Sequence, residues 1–490
     1  MKRPKKPQNK PSSKKSPENK PLPVLATPHT SDKKISNKKW FLLGGVCLLV
    51  LGIAFLVLKR PSPSKDVDLT TIPWNHERMT EGFVENSVDL SRRLTVEGSQ
   101  KLRASKPREA IEDYKRAIEV YPLNSRAYGY LVEFYMMTKR EEEMFRILTL
   151  AGRSFPDFNQ IVSMIKDSVI DRWPLEEHKD SVFIANFFEN KKMAISFMFD
   201  DGENSVYDKA LPVMDKYGFR ATIPVVAGRV VNDDNDLYWG SWHEWKDAAK
   251  RGFEIANHSM YHRDIRDLHG EELDLATDGA KALIEKTTGS SVSTYVFPYD
   301  RYEAESVKAA LHSHQFIRTN EFLSALYKKA FVIVYGGPRI SVDTANRLVD
   351  IGIKRRLWIV AECHGILVKG RPSFKSMTEE FLNAHLGYIH SKLDDVWIDT
   401  FATIAKYQSL RGQTKVEVKN LKGRSADFIL HNPSVPKGAS RLTVVLKTES
   451  ADSVKSATTA GGRRLKAWSC DAKALCVNVD SYEENIHLEF

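Results

Sequence analysis

Residues 193–202 read Met-Ala-Ile-Ser-Phe-Met-Phe-Asp-Asp-Gly. An apolar run closed by a turn tripeptide predicts a strand buried on both faces, as in a parallel sheet. A carboxylate pair just past such a strand lies where α/β sheets and barrels collect their chemistry. There, one carboxylate can bind metal while its neighbour stays available as a base. By itself Asp-Asp-Gly is common turn punctuation, because Asp and Gly tolerate turn dihedrals.

Downstream, Gly252-Phe-Glu-Ile-Ala-Asn257 leads into His258-Ser-Met-Tyr-His262. With 14 His in 490 residues, chance alone gives roughly 0.4 His-x-x-x-His pairs. The pair therefore carries weight through its order and context.

A series of ordered motifs supplies that context. Ser196–Gly202, Leu211–Thr222 and Gly252–His262 resemble the polysaccharide deacetylases of carbohydrate esterase family 4, the NodB homology domain. Leu273–Gly289 is similar to the helix that follows the His pair in that family, and Val296-Phe-Pro-Tyr299 to its third motif. Leu357–Ile366 resembles the strand ending in a catalytic-acid histidine, and Val396–Tyr407 the closing helix. The resemblance implies a deformed (β/α) barrel over residues 185–411 and a hydrolase of carbon–nitrogen, non-peptide bonds.

It also implies roles. Asp201, His258 and His262 would hold a divalent metal ion, with Zn²⁺ the expected one, and leave positions open for water and substrate. Asp200 would act as base, the backbone N–H of Tyr299 would meet the oxyanion, and His364 would protonate the leaving group. On residues alone, His364 closes an apolar run and reads as a hydrogen-bonded core histidine. Cys363 beside it reads as a small buried hydrophobe.

One departure stands out. The family's third motif carries an Arg two residues before the Pro, where it orients the base; here that position is Val296, and the motif Gly is Asp300. Arg301, or Arg339 in Gly336-Gly-Pro-Arg339, is the expected substitute.

The N-terminus predicts an address. Residues 1–39 hold 12 Lys+Arg against Glu18 and Asp32, so 12 − 2 = +10 equals the net charge of the whole chain. The remainder is balanced at 61 basic and 61 acidic residues (73 − 12 and 63 − 2), which gives no support to nucleic-acid binding. The tail's Lys/Pro/Ser composition predicts a disordered cytoplasmic segment. Residues 40–58 are uncharged and about 28 Å long at ~1.5 Å per residue, which predicts a transmembrane helix. The expected topology is a single-pass cell (inner) membrane protein with its catalytic domain periplasmic or extracellular.

After a stem at 59–85, residues 86–160 carry tetratricopeptide-like spacing: Ala117 and Ala151 are 34 apart, as are Pro122 and Pro156. Such repeats offer a concave face to a protein partner. Residues 415–490 alternate strand-like runs with turns and predict a small antiparallel β-domain. Cys470 and Cys476 fall there, spaced to bridge a hairpin through Asp471–Ala474.

The expected function is metal-dependent removal of N-acetyl, secondarily O-acetyl, groups from an envelope or extracellular polysaccharide. The alternatives are a non-catalytic glycan-binding scaffold of a polysaccharide assembly machine, and hydrolysis of a non-sugar amide on the same fold.

Overall fold

The computed structural model describes residues 85–490 except 155–157, 176–177, 321–322, 372, 433–440, 450, 452–453 and 481–483. The expected tail and membrane span, and the stem up to residue 84, lie outside the described residues. Among those described, no helix is long and apolar enough to cross a membrane.

The chain begins with helices α1 (Glu85–Arg103), α2 (Pro107–Val120), α3 (Ser125–Met137), α4 (Glu141–Ser154) and α5 (Phe158–Ser163). Pro107 opens α2, where a missing N–H costs nothing. α1 and α2 run antiparallel, since Ser91 Oγ bonds Ala117 O (2.6 Å) and Lys101 pairs with Asp113 (2.7 Å). A Cβ on Gly98 would lie 2.8 Å from the Tyr114 ring, so only glycine lets the helices close to this distance. Asn124 caps α3 through Ala127 N (3.2 Å) and reaches back to Ser91 Oγ (2.7 Å), locking successive pairs together.

The next layer is a sheet of β2 (Met193–Phe199), β3 (Thr222–Val225), β4 (Glu254–Asn257), β5 (Thr294–Val296), β6 (Phe316–Arg318), β7 (Ala330–Val334), β8 (Trp358–Cys363) and β9 (Val396–Ile398). Its order is β6-β5-β4-β3-β2-β8-β7, every pairing is parallel, and β9 lies beside the start of β2. β2 is buried along its whole length, and its one polar side chain, Ser196, accepts from Trp358 Nε1 (3.1 Å). The expected barrel is corrected to a curled half-barrel: among the described residues β6 and β7 do not pair. β5 and β6 are only three residues long, so the ladder tapers before a ring can close.

Helices α6 (Leu211–Lys216), α7 (Trp242–Lys250), α8 (Ala280–Thr288), α9 (Ala304–Ser313), α10 (Val342–Arg355), α11 (Glu379–His390) and α12 (Phe401–Gln413) surround this sheet. The N-terminal helices share one continuous apolar core with it, running from Leu94 and Leu148 to Phe197 and Ile359. Phe145 of α4 packs on Phe331 of β7 with ring centroids 4.9 Å apart. Arg355 of α10 donates to Glu141 (2.6 Å) and Ile170 O (3.4 Å), and Ser341 N donates to Asn159 Oδ1 (2.8 Å).

The C-terminal part is a sandwich of two antiparallel four-stranded sheets. One contains β10 (Lys415–Lys422), β11 (Ser425–His431), β16 (Glu484–Glu489) and β13 (Ser456–Thr459). The other contains β12 (Arg441–Lys447), β15 (Ala474–Asp480), β14 (Ala467–Asp471) and β1 (Val182–Ile184), which precedes the parallel sheet in sequence. Cys470 and Cys476 are disulfide-bonded across the β14–β15 hairpin.

Candidate active site

Asp200 and Asp201 follow β2 directly. Asp200 N extends the ladder to Cys363 O (2.9 Å), whereas Asp201 turns left-handed at φ 75°. Gly202 repeats that turn against Val225, whose Cγ1 would lie 3.2 Å from an added Cβ. The reversal sends the two neighbouring carboxylates to different partners.

Asp201 meets the His pair. Its Oδ1 lies 3.4 Å from His258 Nε2 and 3.2 Å from His262 Nε2, and the three ligand atoms fall within 4.8 Å of one another. His258 Nδ1 donates to Val296 O (2.9 Å), which turns its other nitrogen toward Asp201. His262, at φ 55°, is held by its N–H on Ser259 Oγ (3.0 Å). Asp201 Oδ1 is buried and, apart from these two imidazole nitrogens, has no polar partner. Two imidazole nitrogens and a buried carboxylate oxygen converging on one point fit a divalent cation. Burial alone would raise Asp201's pKa; the two imidazoles overcome it and hold the carboxyl well below its usual range.

Asp200 meets an arginine instead. Arg318, 1% exposed, grips it with Nη1 on Oδ1 (2.9 Å) and Nη2 on Oδ2 (2.7 Å). The same Nη2 reaches Asp300 Oδ1 (3.2 Å) and lies 3.8 Å from Glu362. Burial pushes Asp200's pKa up, and Arg318 pulls against it. Arg153 of α4 completes the cluster, with Nη2 3.3 Å from Asp300 Oδ2 and 3.1 Å from Tyr299 O.

The substitutes expected for the missing third-motif Arg are corrected here. Arg301 bonds Asp264 (2.9 Å), and Arg339 bonds Arg153 O (2.9 Å); neither is hydrogen-bonded to Asp200. Arg318 does that, and it lies directly beside Val296 in the β5–β6 register. The guanidinium has moved one strand sideways. Register created this neighbour, so Phe316-Ile-Arg318 carried no local signal beyond an Arg closing a short apolar run.

Tyr299 and Asp300 follow β5 with φ of 58° and 56°. The Tyr299 ring stands edge-on to His262 at 4.5 Å. His364 follows β8, and Asp200, Glu362 and His364 each bring a ligand atom within 4.8 Å of the others. Burial lowers His364's pKa, opposed by the carboxylates of Asp201 and Glu362. Phe374 leans edge-on against it at 5.0 Å; the Phe374 N–H and Ser373 Oγ both donate to Glu203 (3.1 and 2.7 Å). These groups line a cleft of about 560 Å³ whose opposite wall comes from α4 and the α2–α3 turn.

The polysaccharide deacetylase family model matches residues 189–315. A putative polysaccharide deacetylase of Bacillus subtilis is 29% identical over 112 residues, 23% of this chain and 39% of its own length. A bifunctional xylanase/deacetylase of Pseudobutyrivibrio xylanivorans is 26% identical over 111 residues, 23% of this chain and 17% of its own. The chain thus spans well under half the length of these curated relatives. Among solved structures, a carbohydrate esterase family 4 domain of a multidomain xylanase from the Trinervitermes trinervoides hindgut metagenome aligns at 17% identity with a TM-score of 0.32. That alignment covers 44% of this chain and 91% of that one. The match to the polysaccharide deacetylase family model thus falls on the stretch that carries Asp200, Asp201, His258, His262 and Tyr299.

Proposed function

We propose that the chain is a metal-dependent deacetylase that removes N-acetyl, secondarily O-acetyl, groups from an envelope or extracellular polysaccharide. One observation carries this reading: a carboxylate gripped by a buried arginine stands beside an Asp-His-His set whose buried carboxylate oxygen and two imidazole nitrogens converge within 4.8 Å. Asp201, His258 and His262 would hold the cation, Zn²⁺ by choice of ligands, which when bound supplies Lewis acidity and a more acidic water. Asp200 takes a proton from the attacking water, and Arg318 fixes the direction of its lone pairs. The water oxygen adds to the acetyl carbonyl carbon, and the Tyr299 N–H donates to the resulting oxyanion. His364 delivers a proton to the sugar nitrogen as the C–N bond breaks, releasing acetate and the amine.

Tyr299 and Phe374, 52% and 50% exposed at the cleft, suit a sugar ring with an apolar face. The apolar run at 40–58, followed by Lys59-Arg60, supports anchoring in a membrane with the site outside. The test is acetate release by the full chain, stripped of metal and reloaded with Zn²⁺, on N-acetylglucosamine polymers and acetylated xylan. Asp200→Asn should lower turnover by roughly 10²–10⁴-fold while Zn²⁺ affinity is retained. Tight Zn²⁺ binding without acetate release from any polymer would overturn the reading in favour of a glycan-binding scaffold.

A further inference from the structure

The helices at the front of the chain invite a recruiting role, but their placement points elsewhere. Pro122, Leu123, Leu150, Arg153 and Ser154 line the same cleft as Asp200, Asp201 and His364. α4 is fastened there by Phe145 on Phe331 and by Arg339, which donates to Arg153 O (2.9 Å).

Arg153 is the residue through which this wall touches the chemistry. Its Nη2 donates to Tyr299 O (3.1 Å) and pairs with Asp300 Oδ2 (3.3 Å), while Arg318 holds the other oxygen of Asp300 (3.2 Å). Tyr299 and Asp300 are consecutive non-glycine residues at φ 58° and 56°, a conformation that persists only where its surroundings over-determine it. The flanking amides hold the turn from within: Asp300 N donates to Phe297 O (3.1 Å) and Arg301 N to Pro298 O (3.1 Å). Arg153 supplies a hold from outside the parallel sheet, gripping the peptide carbonyl and the side chain together. The grip fixes the Tyr299–Asp300 peptide plane, and the Tyr299 N–H, in the plane before it, is coupled to that plane through the left-handed φ and ψ of Tyr299 itself.

We propose that the helical segment is part of the catalytic apparatus, and that Arg153 is a positioning residue that sets the Tyr299–Asp300 turn and with it the N–H facing the oxyanion. The proposal rests on the deacetylase reading for its kinetic consequence alone. Because one nitrogen, Nη2, makes both contacts, a lysine ammonium can reproduce part of the grip and a methionine cannot.

The experiment compares full-length wild type, Arg153→Lys and Arg153→Met, all loaded with Zn²⁺, by two readouts. One is hydrogen exchange of the peptide spanning 297–302; the other is kcat and KM for acetate release. Arg153→Met should speed exchange in that peptide and lower kcat by roughly tenfold to a hundredfold, with Zn²⁺ affinity and Tm close to wild type. Arg153→Lys should fall between the two. Faster exchange with unchanged kcat would overturn the proposal, as would unchanged exchange. A wild type that releases no acetate, yet whose turn loosens in Arg153→Met, would sink the deacetylase reading while supporting Arg153 as the clamp on this turn.

Discussion

Two modules flank the parallel sheet, and they meet it differently. α4 runs along β7, with Glu141 beside Lys329 and Arg355 where β7 and β8 start and Arg153 beside the Tyr299–Asp300 turn past the end of β5, and its last turn and the α2–α3 turn wall the cleft. The β-sandwich lies where the strands begin: Trp397 of β9 and Tyr407 of α12 pack on its core, Glu189 pairs with Lys466, and no described residue of 415–490 lines the cleft. Both modules are buried against the sheet, so burial alone does not separate a working part from a brace. Position along a parallel strand does, because backbone turns and their side chains converge only at the strands' C-terminal ends. The helices therefore belong with the chemistry, and the sandwich holds the other end still.

Matched core truncations test this division. Leu150 of α4 and Leu430 of β11 are both buried, at 3% and 0% exposed. Replacing either by Ala should cost about 2–5 kcal/mol, read from urea unfolding. Leu150→Ala should also change KM or kcat, because Leu150 lines the cleft. Leu430→Ala should leave the kinetics of the folded enzyme at wild-type values. Equal kinetic effects from the two substitutions would collapse the distinction between wall and brace.

What could be read from the sequence follows the same line. β2, its Asp-Asp-Gly turn and the His258/His262 pair are local patterns, in which a few adjacent residues encode both the element and its chemistry. Arg318 is not local: it joins Asp200 across 118 positions because β6 pairs with β5 and sets Arg318 beside Val296. Arg301 is the candidate nearest the third motif along the chain and Arg339 lies beyond Arg318, yet position in sequence does not fix direction. A left-handed turn before Arg301 sends its side chain to Asp264. β1 escapes for a related reason. Three residues carry little period-2 signal, and their partner in β12 begins after position 440. Arg153 lay in a segment whose spacing suggested a separate module, and only the shared core reveals that it faces the cleft.

Histidines sharpen the contrast with opposite signs. In the layer around the parallel sheet, burial pushes His314 down to about 4 and His385 down to about 3, so both are neutral when folded. Unfolded histidine titrates near 6.5, so below that pH the unfolded chain gains protons that the folded one refuses. Stability should fall as pH drops from about 6.5 toward 4, by up to about 1.4 kcal/mol per pH unit for each histidine. In the sandwich, His487 is raised by Asp427 and then Glu489, so its contribution is full below its unfolded pKa and is lost as pH rises through the folded one. Its side chain is 41% exposed, so solvent screens the pair and the effect is correspondingly small. His385→Gln should flatten the acid limb of a Tm-against-pH curve. A curve that stays equally steep without His385 would remove that residue from the account.

The smallest effect belongs to the brace. Cys470 and Cys476 close a loop of only a few residues in the β14–β15 hairpin, so the entropy withheld from the unfolded chain corresponds to about 2 kcal/mol on the chain-entropy estimate. Reduction, or replacement of both by Ser, should lower Tm by a few degrees. The same change should leave kcat untouched, because the hairpin contributes no residue to the cleft and its sheet meets the strands at their starting ends. A fall in kcat on reduction, with the enzyme still folded, would show that the sandwich transmits strain along β2 to the Asp200–Asp201 turn. The two ends of the sheet would then be one mechanical unit, and the sandwich would have to be counted with the helices as part of the site.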